Sequence, residues 1–139
     1  MDKERLPGWL RATWAGSALF PLLLLAVAGS LRPDASGSGT HRQLGLPPCS
    51  LRLLVGIRCP ACGMTTAWSH FARGHWKQSW KTQPAGCLLA VYGLAWAAMA
   101  ASTGMRGVPP SMNTQRAFAA GILLIAAISV AHWGSITYF

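Results

Sequence analysis

The sequence predicts an all-α integral membrane protein with about three transmembrane helices and short interfacial helices around a Cys-Pro-x-Cys-Gly turn. Charged residues make up 11% of the 139 residues, against roughly 25% in ordinary soluble domains. They are absent from residues 12–31, 82–105 and 117–139. A helix rises about 1.5 Å per residue and a bilayer core is about 30 Å thick, so roughly 20 apolar residues can cross it. A soluble bundle would instead need shorter, amphipathic helices.

We expect one membrane domain of residues 1–139, with spans at about residues 13–31, 85–104 and 116–134. The first span contains Pro21, which membrane helices tolerate where a neighbour satisfies the released carbonyl. Pro84 precedes the second span, at a position where a helix needs no N–H group. Asn113 or Thr114 is the expected N-cap of the third.

The N-terminal stretch allows a second interpretation. Lys3 and Arg5 precede an apolar run that ends in Ala26-Val27-Ala28, which resembles a signal-peptide cleavage site. We favour an uncleaved first helix and leave the cleaved alternative open.

The region between the first two spans divides into a loop and a surface segment. Residues 35–40 are rich in Ser and Gly, which is typical of a flexible loop and suggests no chemistry. Residues 44–83 are too polar to cross a bilayer and too apolar to lie free in water, so we expect them in the membrane interface. Within this segment Met64–Phe71 and His75–Lys81 have helical patterns separated by Gly74.

The net charge of +9 fits anionic lipid headgroups better than nucleic acid. The basic residues are scattered singly through loops, without a basic stripe or a nucleic-acid-binding motif. Seven lie on the side of the cysteine turn and five on the other, which favours a cytoplasmic cysteine segment. With 3 acidic residues in the chain, catalysis by carboxylates is not expected. We assign no catalytic residue and favour a protein that is not an enzyme, leaving the question open.

Cys59-Pro60-Ala61-Cys62-Gly63 has the sequence of a thiolate knuckle. Proline fixes φ and glycine permits a positive φ, so backbone N–H groups can point at the sulfurs. Two thiolates at this spacing supply half of a tetrahedral zinc or iron site, which needs four ligands. Cys49 precedes Cys59 across a segment that can fold back through Gly56. We therefore predict a metal site of Cys59, Cys62 and Cys49 that holds zinc or iron.

The candidates for the remaining ligand are Cys87, His41, His70 and His75, or a residue of a second subunit. His70 is a poor candidate, because a helix continuing from Cys62 would carry it about 12 Å along the axis. Cys87 lies in the second apolar window, where a lone cysteine is most often a small buried hydrophobe. His132, near the end of the third span, is expected at the interface rather than at a metal.

Two other interpretations of the turn stay open. A Cys-x-x-Cys pair at a helix N-terminus can have a depressed thiol pKa and cycle between dithiol and disulfide, although the βαβ context of a thioredoxin is absent. Proline and glycine can also simply build a tight turn, with the cysteines packed as small apolar side chains.

The run from Cys49 to Pro84, with its Cys-Pro-x-Cys-Gly-x-Thr core, resembles the small bacterial membrane-protein family called domain of unknown function 2752. The resemblance covers about 50 residues, including the second span. It implies a bacterial inner-membrane protein with no assigned activity. Thr66 and Gln83 depart from the family pattern, in which Arg and Asn are common. The signature positions are Cys49, Cys59, Pro60, Cys62, Gly63, Thr65, Ala67, Gly74 and Pro84.

These observations favour an accessory or structural subunit of a membrane assembly, with a structural metal or thiol site at the turn. Its expected partners are the lipid bilayer and other membrane-protein subunits. One alternative is a membrane thiol–disulfide oxidoreductase using Cys59 and Cys62, with Cys49 as the resolving thiol. Another is a metal-ion handling protein, although no charged residue lies between the ends of the spans and His132 is their one histidine.

Overall fold

Three long helices form the body of the protein, and shorter helices cover one end of it. The structure, a computed structural model, describes residues 5–138. Lys3, on which the signal-peptide interpretation partly rests, lies outside these residues. The helices in chain order are α1 (Gly8–Ser30), a 3₁₀ helix (Thr40–Leu44), α2 (Ser50–Leu54), α3 (Met64–Ala72), α4 (Trp76–Thr82), α5 (Pro84–Arg106) and α6 (Met112–Tyr138).

The three long helices α1, α5 and α6 are each long and apolar enough to cross a membrane. No strand occurs in the described part of the chain. The predicted all-α class with three candidate spans is therefore confirmed, and these helices indicate an integral membrane protein. Each long helix begins before the window that the sequence predicts for it, since the flanking residues also adopt helical geometry.

Helices α1 and α5 run antiparallel and approach closely through small residues. A Cβ atom built on Gly104 would lie 2.9 Å from the Cβ of Ala15, and one built on Gly93 would lie 3.1 Å from the Cβ of Pro21. The alanines between these contacts are buried, and they are Ala18, Ala97 and Ala100. Small residues at the contact are the usual way in which membrane helices gain packing contacts, since lipid gives them no hydrophobic drive to associate.

Arg11 of α1 closes the end of α5 that lies away from the cysteine turn. Its Nε donates to the carbonyl of Gly104 at 3.0 Å and its Nη2 to that of Met105 at 2.9 Å. These are among the last carbonyls of α5, which lack partners within the helix. The guanidinium also lies at the negative end of the helix dipole, where a cation is favourable.

Helix α6 lies antiparallel to α5 and, among the described helices, packs against α5 alone. Tyr92 of α5 donates its hydroxyl to the carbonyl of Phe118 at 3.2 Å. The expected N-cap at Asn113 or Thr114 is wrong, because both residues lie in the first turn of α6. The backbone N–H of Thr114 donates instead to the hydroxyl of Ser111 at 3.3 Å.

The short helices α3 and α4 lie across the ends of α1 and α5. They match the two predicted helical stretches, and Gly74 between them has a φ of 77°. Ser69 of α3 donates to the carbonyl of Leu31 at 2.7 Å, just past α1. Trp68 of α3 donates to the carbonyl of Gly86 at 2.8 Å, in the first turn of α5. The chain around the cysteine turn is thus fastened to both helices.

Candidate metal centre

Three cysteines from two separate segments meet at this end of the protein. Cys49 directly precedes α2, while Cys59 and Cys62 enclose the turn before α3. Their three Sγ atoms all lie within 4.8 Å of one another, and each residue is half-buried. A tetrahedral zinc ion with sulfurs at about 2.3 Å places those sulfurs about 3.8 Å apart. Small side-chain rotations would therefore bring all three thiols to bonding distance.

The turn has the backbone that its sequence predicts. The N–H of Cys62 donates to the carbonyl of Cys59 at 3.0 Å, and the N–H of Met64 to that of Ala61 at 3.1 Å. Gly63 has a φ of 96°, in the left-handed region that favours glycine. These bonds close the turn between the two cysteines, whose sulfurs lie within 4.8 Å of each other.

The outward carbonyls of the turn receive hydrogen bonds from distant residues. The carbonyl of Pro60 accepts from Nε2 of Gln83 at 2.7 Å and from the hydroxyl of Ser129 at 3.0 Å. The carbonyl of Arg58 accepts from the indole N–H of Trp133. Gln83 is almost fully buried, so this bond is shielded from water. The turn is therefore attached to the start of α5 and to the last turns of α6.

The loop between α1 and the 3₁₀ helix packs onto α3, contrary to the expectation of a flexible loop without chemistry. The hydroxyls of Thr40 and Thr66 lie 2.8 Å apart and both residues are buried. The N–H of Asp34 donates to the Thr40 hydroxyl at 3.0 Å. A Cβ atom on Gly63 would lie 2.9 Å from the carbonyl oxygen of Gly37. The loop thus forms one wall of the site.

A pocket of about 290 Å³ opens over the three cysteines. The loop contributes Ser38 and Gly39 to its wall, the 3₁₀ helix contributes His41, and α3 contributes Thr65 and Thr66. His41 also lines an adjoining pocket together with Cys49 and Cys62. His41 is among the possible ligands named from the sequence, although it directly follows residues 35–40, which were expected to form a flexible loop without chemistry.

The other candidate ligands lie apart from the cluster. Cys87 is buried in α5. His70 and His75 face each other with ring centroids 6.0 Å apart, and the Nδ1 of His70 is buried without a hydrogen-bond partner. Burial lowers the pKa of His70, and the charges of His75 and Arg73 lower it further. Neither histidine belongs to the group of sulfurs.

The thiol of Cys62 is held in its protonated form in the absence of a cation. The pKa of Cys62 is raised to about 11, chiefly because burial disfavours the thiolate; a backbone hydrogen bond from Cys59 lowers it, and the side chains of Cys49 and Cys59 raise it. A bound divalent cation would supply the positive charge that deprotonates such a thiol.

Residues 49–97 match the family model described as Protein of unknown function (DUF2752), which supports the resemblance of the cysteine segment to that family. The matched residues run from Cys49 through the turn, α3 and α4 into α5. The loop with His41, as well as α1 and α6, lies outside the match. No curated protein and no solved structure matches the chain.

Proposed function

We propose, from the resemblance of residues 49–97 to a family of unknown function, that this membrane protein uses Cys49, Cys59 and Cys62 to hold a structural metal ion. The convergence of three sulfurs within 4.8 Å carries this proposal. Thiolate ligands favour zinc or iron. The metal would join the segment before α2 to the turn before α3.

The segment around α2 has few other contacts that would hold it in place. Helix α2 packs against none of the other described helices. Leu53 and Leu54 are 68% and 84% exposed. Because structural metal sites contribute their binding free energy to folding, a metal at Cys49 would fix this segment. Its exposed leucines, like the exposed Trp76 and Trp80 of α4, suit the lipid interface.

The site is proposed to face the cytoplasm of a bacterium, at the inner membrane. The antiparallel order of the long helices supports one common side for the ends of α1 and α6 and the start of α5, next to the cysteines. Most basic residues of the chain lie on this side. In the reducing cytosol a cysteine cluster is more often a metal site than a disulfide.

The proposed biological role is that of an accessory or structural subunit in a larger membrane assembly. The long apolar helix α6 packs on α5 alone among the described helices, which leaves most of its surface to lipid or to another subunit. A purified protein that stays monodisperse and monomeric in detergent would count against this role.

Metal content tests the proposed site. We expect the purified full-length protein to contain about one equivalent of zinc or iron by plasma mass spectrometry. The Cys59→Ser/Cys62→Ser variant should lose it, because two of the three thiolates are gone. Cys87→Ser is the matched control, since Cys87 lies outside the cluster, and it should keep the metal.

The same preparation separates the rival functions. A metal-free protein with a reversible Cys59–Cys62 disulfide of defined potential would overturn the metal proposal in favour of thiol–disulfide exchange. A metal-free protein whose thiols stay reduced under mild oxidants would instead leave the turn as a packing element.

Chelation should expose the cysteine segment to protease. We expect removal of the metal to increase trypsin cleavage after Arg58 by at least about tenfold, because local opening then costs less free energy. The sites after Lys77 and Lys81 in α4, which the metal does not hold, should change little. Equal acceleration at all three sites would indicate general unfolding instead of local release.

A further inference from the structure

We propose that His41 supplies the fourth ligand and completes a site of three cysteines and one histidine. This inference rests on the proposed function, since it assigns the remaining coordination position of the same metal. A structural zinc site is almost always four-coordinate, and the cluster offers three sulfurs.

The position of the pockets selects His41. A fourth ligand has to approach from the face that all three sulfurs share. The pocket of about 290 Å³ is lined by all three cysteines, and His41 is the histidine in its wall. His41 also lines the adjoining pocket with Cys49 and Cys62.

The other nearby histidine occupies a different face. His132 of α6 lines a pocket with Cys59 and Cys62, but Cys49 does not line that pocket. An imidazole entering from there would meet two of the three cysteines, whereas the larger pocket with His41 is lined by all three. His132 is therefore a matched control for His41, because it also lies beside the cysteine turn but not in the pocket that the three cysteines share.

The loop holds the backbone of His41 in place while leaving its ring in the pocket. Thr40, directly before it, is fully buried and bonded to Thr66 and to the N–H of Asp34. His41 begins the 3₁₀ helix together with Thr40 and is itself half-buried. The imidazole nitrogens of His41 do not belong to the group of three sulfurs, so metal binding would require the His41 side chain to turn toward them.

Charge also favours a neutral fourth ligand. Three thiolates around Zn²⁺ leave one net negative charge, and a fourth thiolate would leave two. Arg42 lines the pocket next to His41 and Cys49, and its guanidinium would balance a single negative charge. An imidazole completes the site without adding charge.

X-ray absorption on the zinc-loaded full-length protein in detergent tests the inference directly. We expect three sulfurs at about 2.3 Å, one nitrogen at about 2.0 Å and imidazole scattering from the more distant ring atoms. His41→Ala should remove the imidazole signal and weaken zinc affinity by more than about 100-fold, beyond the 10–100-fold typical of residues that only orient a ligand. His132→Ala should change neither readout.

The outcomes are distinguishable. Wild-type protein without metal overturns the proposed function and this inference together. Wild-type protein with metal but without imidazole scattering overturns the inference alone, as does an imidazole signal that persists in His41→Ala or disappears in His132→Ala. The absence of imidazole scattering from the wild type overturns the inference even if a variant fails to fold.

Discussion

Gly63→Ala should release the cysteine turn, abolish metal binding and destabilise the protein by about 3 kcal/mol. Part of this loss comes from the backbone, because a φ of 96° costs an alanine about 1–2 kcal/mol. The remainder comes from the loop, since the new Cβ would lie 2.9 Å from the carbonyl oxygen of Gly37. A backbone carbonyl cannot move aside without shifting the loop that carries His41.

Gly74→Ala is the matched control for this variant. Gly74 also has a positive φ, 77°, but a Cβ atom there would meet nothing within 4 Å. The Gly74→Ala variant should therefore lose only the backbone contribution, about 1–2 kcal/mol of unfolding free energy, and keep its metal. Tryptophan fluorescence during denaturation in detergent measures stability, and competition with a chelator measures metal affinity. Equal losses of stability and of metal affinity in the two variants would contradict the contact between Gly37 of the loop and Gly63 of the turn.

Gly104→Leu should separate α1 from α5 and destabilise the bundle by about 3 kcal/mol or more. Even the first carbon of the new side chain would lie 2.9 Å from the Cβ of Ala15, and 3.0 Å from both the nitrogen of Ala15 and the carbonyl oxygen of Arg11. Two of these three atoms belong to the backbone of α1, so relief requires the helices to move apart. That movement would also pull Arg11 from the carbonyls that it caps.

Gly16→Leu provides the comparison within α1. A Cβ atom at Gly16 meets nothing within 4 Å, so a leucine there enters open space next to lipid. We expect the free energy of unfolding to change by no more than about 1 kcal/mol, which is the size of the difference in helix propensity between glycine and leucine. Thermal unfolding of both variants in one detergent measures the difference. Similar melting temperatures would show that α1 and α5 do not pack as described.

The three long helices were predictable because the bilayer requires each crossing segment to satisfy its own backbone hydrogen bonds. Each of these helices therefore corresponds to a long uncharged window in the sequence. The cysteine turn was predictable for a similar local reason, since proline and glycine at fixed positions determine its φ angles. The proximity of Cys49 followed from spacing and from the chance to fold back through Gly56.

The wall of the site could not be predicted, because it depends on contacts between distant residues. The loop before the 3₁₀ helix has the composition of a flexible linker, yet Thr40 meets Thr66 across 26 positions of sequence. Nothing near Thr40 in sequence signals that partner. Likewise Gln83 stood out in the sequence only as a departure from the family pattern, whereas its amide reaches the carbonyl of Pro60.

The attachment of α6 to the cysteine turn has a consequence for the order in which the protein is made. Ser129 follows its partner Pro60 by 69 positions, and Trp133 follows Arg58 by 75. His41, Cys49, Cys59 and Cys62 all leave the ribosome before α5 and α6, so the cluster can assemble on the growing chain. The carbonyl of Arg58 gains its donor, Trp133, only with the last helix, whereas the carbonyl of Pro60 can bond Gln83 earlier and gains Ser129 later. Synthesis of α6 completes the hydrogen bonds of the turn. A chain truncated before α6 would carry the turn at the membrane surface without the donors Ser129 and Trp133.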